Sequence, residues 1–367
     1  MWKKIGLLLL VLLLLLSGSL ALLASYLDWS EPSDLSQTQM ADLPYLAALP
    51  APTQGKILAI VTSTAQMEVP TDDGVKLKQA GFELTELSRA YAVFSANGFA
   101  VDVASPQGGA APYVRDDDDM GPYDYAFLNN QAAMAKISNT FKLSEVKASD
   151  YKAIYLVGGK GTMFDFRGNK LLQQLVADSW QQGAVVSGVC HGPAGLLGVT
   201  LSDGSELLRG RKVTAFSNAE ELFLIPKAAQ VFGTLLQDDL QKAGAEFVEG
   251  PLYLNQLALD GRLITGQNPW SVWALADAVV TKLGVTPKPR EISKAELAVT
   301  LLNLYHSQGL TGAEAALKKM PDAAKNNIDR NLIAMHLLVA LMQYNWQQGV
   351  DLMSLLRLTA QAAKEGS

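Results

Sequence analysis

Val185-Val186-Ser187-Gly188-Val189-Cys190-His191-Gly192-Pro193-Ala194 is an apolar run of strand length that ends at a cysteine, with a glycine two residues away on each side. A nucleophile at a sharp strand-to-helix turn needs small neighbours at those two positions, and Gly188 and Gly192 supply them. A helix beginning after the turn directs free N–H groups and its positive end at the sulfur, which favours thiolate over thiol. The spacing therefore predicts a strand, an elbow carrying a reactive Cys190, and a small-residue helix. Cys190 is the only cysteine, so an intramolecular disulfide is excluded.

An α/β rhythm extends outward from the elbow. Short apolar runs at Lys56 to Val61, Phe99 to Val103, Ala153 to Val157 and Ala184 to Val189 read as strands. Leu84, Leu87, Tyr91 and Phe94 sit at helical spacing before Asn97-Gly98, and Leu171 to Gln182 reads as a second helix closed by Gly183. Strands that are apolar throughout, alternating with helices, predict a parallel sheet covered on both faces. Leu257 to Ile264 reads as a hairpin around Asp260-Gly261, and Trp270 to Leu283 as a closing helix. The expected fold is α/β, a flavodoxin-like parallel sheet between helices over residues 54–286.

The two ends differ from this domain. Lys3 and Lys4 precede an uncharged, leucine-dominated stretch from Ile5 to Leu27. At about 1.5 Å per helical residue it is long enough for a hydrocarbon core of about 30 Å. Residues 1–27 read as a signal peptide or an N-terminal membrane anchor, and either would place the remainder outside the cytoplasm, membrane-anchored or secreted. Residues 28–53, rich in Ser, Pro, Asp and Ala, read as a tether. Residues 287–367 carry no strand signal. Leu301 to Gly309 resembles Leu341 to Gly349, and each is followed by a further helical segment, Ala313 to Lys319 and Leu352 to Leu358. This suggests two helical hairpins, either a repeat-like pair or a generic helical cap.

A net charge of −6 and the lack of a basic patch exclude a nucleic-acid surface. Only His191, His306 and His336 are present, so no two-histidine, one-carboxylate site can be assembled around Cys190. No metal or other cofactor is expected. The run Asp116 to Asp119 lacks the spacing of a calcium loop and reads as a solvated acidic loop.

The string Val189 to Ala194 resembles the signature of the ThiJ/PfpI superfamily, which shares the class I glutamine amidotransferase fold. Four further segments resemble its glyoxalase III and heat-shock chaperone branch: Gly81 to Phe94, Gly158 to Phe166, Val213 to Glu221, and Thr265 to Pro269. The resemblance spans roughly Lys56 to Leu283. It implies that Cys190 is the nucleophile and that Glu86, with Glu83 as its rival one turn earlier, is a protonated partner of the sulfur. It also implies that His191 is the base and that Glu221 orients it. Gly159 and His191 would supply oxyanion N–H groups. Lys160 replaces the histidine usual in this loop and would face substrate, and Arg89-Ala90 replaces a common His-Pro pair near the entrance. The implied activity is cofactor-free, glutathione-independent conversion of methylglyoxal to lactate. An amidase or peptidase using the same groups, and a holding chaperone contacting proteins through its C-terminal helices, are the alternatives. Members of the superfamily often form homodimers.

Overall fold

The computed structural model describes residues 23–365 apart from 32, 72, 117 and 118. Seven strands form one sheet: β1 (Lys56–Ile60), β2 (Ala100–Ser105), β3 (Phe141–Lys142), β4 (Ala153–Leu156), β5 (Val185–Val189), β6 (Leu257–Asp260) and β7 (Leu263–Gly266). Their order is β6-β7-β5-β4-β1-β2-β3, and every neighbouring pair is parallel except the β6–β7 hairpin. The central strands β1, β4 and β5 and the hairpin strand β7 are buried on both faces because both faces are covered. Ile57, Ala59, Tyr155 and Val185 point to one side, against α1 (Leu84–Ala96) and the closing helix. Leu58, Ile60, Ile154, Leu156 and Val186 point to the other, against α2 (Lys170–Gln181). The period of two along each strand thus divides one apolar run between two cores.

The register sets the carboxyl ends of the strands side by side. Ile60 pairs with Leu156, Leu156 with Gly188, and Gly188 with Thr265. The residues just beyond them, Thr62, Gly158, Cys190 and Gln267, therefore meet at one edge, where sites in open α/β sheets are built. Two more helices frame that edge, α3 (Asn218–Leu224) and α4 (Val272–Lys282). The closing helix starts at Val272 rather than Trp270, because Asn268 caps a short 3-10 turn at Pro269–Ser271.

The antiparallel hairpin Gln66–Thr71 with Gly74–Gln79 has no counterpart in the sequence reading. Its outer strand is exposed throughout and alternates with Lys76 and Lys78, so it presents no apolar run. The stretch read as a tether is partly docked. Met40–Asp42 forms a 3-10 turn, and Tyr45 and Leu46 are buried in the core on the α1 side of the sheet.

Contacts divide the chain into two units, Asp34–Glu291 and one made of Met1–Ser33 with Ile292–Ser367. In the second, helices α5 (Lys294–Lys319), α6 (Arg330–Met342) and α7 (Trp346–Glu365) bury Leu301, Leu302, Ile333, Leu337, Leu352, Leu355 and Leu356. Gly309, at φ 72° and ψ −177°, breaks α5, whereas its sequence counterpart Gly349 lies inside α7. The two resembling segments are thus used differently, and the second break falls at Tyr344, with φ 60°.

The location expected from the N-terminus requires correction. Among the described residues no helix is long and apolar enough to cross a membrane. Residues 1–22, which carried most of the expected signal or anchor, lie outside the described residues. In the part described, only Leu23 and Ala24 are helical before the chain turns. The backbone there is held by α6: Arg330 Nε donates to the Tyr26 carbonyl at 2.9 Å, and the Asp28 N–H donates to Asn331 Oδ1 at 3.0 Å. The membrane-anchored or secreted, extracytoplasmic placement is therefore withdrawn.

The elbow depends on close backbone approach. A Cβ on Gly192 would run into the carbonyl of Leu156 in β4. Gly192→Ala is expected to cost about 1–3 kcal/mol, as overpacking against a rigid strand does. A lower midpoint in thermal unfolding checks this, and an unchanged midpoint would show that the elbow tolerates displacement.

Candidate active site

Cys190 sits at the turn out of β5 with φ 56°, a conformation rare outside glycine and concentrated at functional sites. Its backbone is fully used: the N–H donates to the Gly266 carbonyl at 3.0 Å, and its carbonyl accepts from Phe216 N at 2.9 Å. Both bonds fix the elbow to neighbouring segments, so the strained turn is over-determined. The small-residue helix expected beyond it is a five-residue 3-10 helix, Gly192–Leu196.

On one side of the sulfur stands His191. Its Nδ1 lies 3.2 Å from Cys190 Sγ, and its Nε2 lies 2.5 Å from Glu221 Oε2. With Glu221 accepting from Nε2–H, the tautomer leaves the Nδ1 lone pair facing the thiol. Glu221 comes from the first turn of α3, whose N-cap Ser217 accepts from Glu220 N. Both Glu220 and Glu221 are buried, at 0% and 3% exposure, which rules out a pair of surface charges. Glu220 braces its surroundings: its carboxyl accepts from Ser217 N at 3.0 Å, Tyr253 N at 2.8 Å and Asn268 Nδ2 at 2.8 Å.

On the other side stands Glu86, in the first turn of α1 and fully buried. Its carboxyl lies beside the Cys190 thiol, close enough for each group to act on the other's protonation. Its Oε2 accepts from Gly158 N at 2.8 Å, and its own carbonyl accepts from Tyr155 Oη at 2.7 Å. Burial, then the like charge of Glu83, pushes the Glu86 carboxyl up to about 8. It is neutral at pH 7. A Cβ on Gly158 would lie 2.5 Å from Glu86 Oε2 and 2.8 Å from Cys190 Cβ, so only glycine lets carboxyl and thiol meet here.

The thiol differs from the sequence expectation. Burial, then the charge and hydrogen bond of Glu86, pushes Cys190 well up, and the Gly159 N–H opposes this. A 3-10 helix of five residues has little dipole to counter desolvation. The two acids form one coupled system. Neutral Glu86 removes the charge that most resists a thiolate, and His191 Nδ1 is placed to receive the thiol proton.

Gly159, at φ 103°, directs its N–H at the sulfur, and Lys160 is half-buried beside Glu83. Burial pushes Glu83 up to about 7, with the Lys160 charge opposing. Glu83 is thus not the thiol's partner; its N–H donates to the Gly158 carbonyl and anchors α1 to the loop after β4. Arg89 is buried, 5.7 Å over the Trp270 ring, and donates to the Asp119 carbonyl at 2.6 Å and to Asp119 Oδ1 at 3.2 Å. Asp119 is therefore held by Arg89 rather than solvated; residues 117 and 118 of that run lie outside the described residues. His306 and His336 belong to the C-terminal helices. Sequence reasoning missed Glu220 as a brace, and also Tyr253, whose φ of 51° has no signal in a residue string.

The sign of the pH dependence follows from Glu86. Between about pH 4.5 and 8 the folded chain keeps a proton that the unfolded chain has released, so stability from this group falls as pH rises through that window. Glu86→Gln removes the dependence. Its stability relative to wild type is expected to rise by roughly 3 kcal/mol between pH 5 and 8. Denaturant titrations at the two pH values check this, and a difference independent of pH would show that Glu86 is ionised in the fold.

The DJ-1/PfpI family matches residues 75–282. Glyoxalase 3 of Candida albicans is 30% identical over 61% of this chain and 97% of its own length. The glutathione-independent glyoxalase HSP31 of Saccharomyces cerevisiae is 32% identical over 60% and 94%. The crystal structure of glyoxalase III from Candida albicans superposes with a TM-score of 0.56 at 28% identity, covering 62% of this chain and 97% of that one. The strand order, the cysteine elbow and the extent of these matches lead to one conclusion: this chain belongs to the DJ-1/PfpI family.

Proposed function

We propose that the chain is a cysteine-dependent, glutathione-independent glyoxalase that converts a small 2-oxoaldehyde such as methylglyoxal into the 2-hydroxy acid, lactate. In reaction class this is a hydro-lyase. The observation that carries the reading is the thiol of Cys190 set between a neutral Glu86 and the His191–Glu221 pair. The names of the relatives support it.

The groups suit each step. His191 Nδ1 takes the thiol proton, and Glu221 stabilises the imidazolium. The sulfur adds to the aldehyde carbon, and the new alkoxide, near the Gly159 N–H, receives a proton to give a hemithioacetal. Removal of the proton on that carbon and protonation of the ketone oxygen give an enediol. Return of a proton to the neighbouring carbon, with loss of the hydroxyl proton on the carbon that bears sulfur, leaves a 2-hydroxyacyl thioester on Cys190, and water releases lactate and restores the thiol. Methylglyoxal and one water give lactate, with no external oxidant or thiol. Glu86, neutral and within reach of the sulfur, is the group that can give and take a proton on that side.

The purified chain is expected to form lactate from methylglyoxal without glutathione. Cys190→Ala should abolish the reaction. Glu221→Gln, which keeps the shape but reverses the preferred tautomer, should lower kcat on the order of 10³-fold. A wild type as inert as Cys190→Ala, with an acyl probe labelling Cys190, would transfer the site to acyl-transfer chemistry.

A further inference from the structure

A line of aromatic rings runs from the imidazole of His191 to the surface. The Phe216 ring lies 4.7 Å from that of His191, tilted by 33°. Tyr253 lies 6.3 Å from Phe216, and Phe223 lies 6.1 Å from Tyr253. Phe223 is 37% exposed, and its neighbours Leu222 and Leu224 are 41% and 51% exposed. The outer end of the line is therefore an open apolar rim on α3, while the inner end touches the catalytic base.

Tyr253 is the hinge of this arrangement, and it is held under strain. Its φ is 51°, costly for a bulky residue. Two bonds to one residue keep it there: its N–H donates to Glu220 Oε1 at 2.8 Å, and its hydroxyl donates to the Glu220 carbonyl at 2.9 Å. Neighbouring carboxylates on one turn of α3 thus hold two different things. Glu221 holds the imidazole, and Glu220 holds the aromatic ring. Burial, then the charges of Glu220 and Glu221, raises the Tyr253 hydroxyl. A strained aromatic residue, separated from the catalytic base by the single ring of Phe216 and continuous with an exposed apolar rim, has no role in the proton transfers described above.

The geometry points to an aromatic-binding subsite, walled by Phe216, Tyr253 and Phe223, that selects carbonyl substrates bearing an aryl or bulky apolar substituent. This rests on the glyoxalase reading for the nature of the reacting group, and makes arylglyoxals the preferred class over methylglyoxal. Offset and edge-on ring contacts add to the gain from burying apolar area. A pocket of this kind discriminates by about tenfold to a hundredfold.

Cys190 is the chain's single cysteine, so its alkylation reports on the subsite without requiring turnover. Rates with iodoacetanilide and iodoacetamide, read by intact mass, are each normalised to those of N-acetylcysteine. The full chain is expected to favour the anilide by about tenfold or more. Phe223→Ala, at a partly exposed position, and Tyr253→Ala should bring the ratio close to one. Phe141→Ala, on the far edge strand β3, should leave it unchanged. A normalised ratio near one in wild type, or a ratio untouched by Phe223→Ala, overturns the subsite. Steady-state rates with phenylglyoxal and methylglyoxal, without glutathione, form the second arm, and the same preference is expected, mainly in KM. An alkylation preference without turnover of either aldehyde overturns the glyoxalase reading alone. Turnover with no aryl preference in either arm overturns the subsite alone.

Discussion

A buried carboxyl that stays protonated beside a buried thiol is the constraint on which this site depends. An ionised carboxylate in the position of Glu86 would lack solvent and would repel a thiolate; either cost amounts to several kcal/mol in a dry interior. Among the described residues, Glu86 has one N–H donor, from Gly158, and no cation in hydrogen-bonding contact, which avoids both costs. Arg89, one turn further along α1, is drawn instead to Asp119 and Asp124. Its charge reaches Glu86 as a minor influence, smaller than burial or the like charge of Glu83.

Neutrality on that side gives the other side its function. The hydrogen-bonded His191–Glu221 pair lies on that other side, and in the proposed mechanism it takes the thiol proton because Glu86 does not compete with a negative charge. Four segments far apart in sequence meet to make this work: the start of α1, the loop after β4, the elbow after β5, and α3. The parallel sheet makes that meeting possible, since its register brings the ends of β1, β4, β5 and β7 level. At Gly158 and Gly192 a Cβ would meet a backbone carbonyl or the carboxyl and thiol themselves.

Much of this was legible in the residue string. Doubly buried strands are apolar at every position, so β1, β4 and β5 stood out, and the spaced glycines marked the elbow. Glu86, His191 and Glu221 fell on matching motifs, and the structure brings all three to Cys190. What stayed hidden has physical reasons. The exposed hairpin after β1 carries no apolar run. Glu220 and Glu221 look alike as letters, and only burial separates the brace from the orienter. The strain at Tyr253 is a backbone property. The thiol was expected to be lowered by a helix end, but that helix is a single short 3-10 turn, and desolvation outweighs it.

The protonation state of Glu86 is most directly read by infrared difference spectroscopy, wild type minus Glu86→Gln, across the pH range. A protonated-carboxyl stretch present at pH 7 and lost with a midpoint near 8 is the expected result. A difference spectrum showing only ionised carboxylate at pH 7 would contradict the account, because Glu86 would then oppose the thiolate rather than permit it.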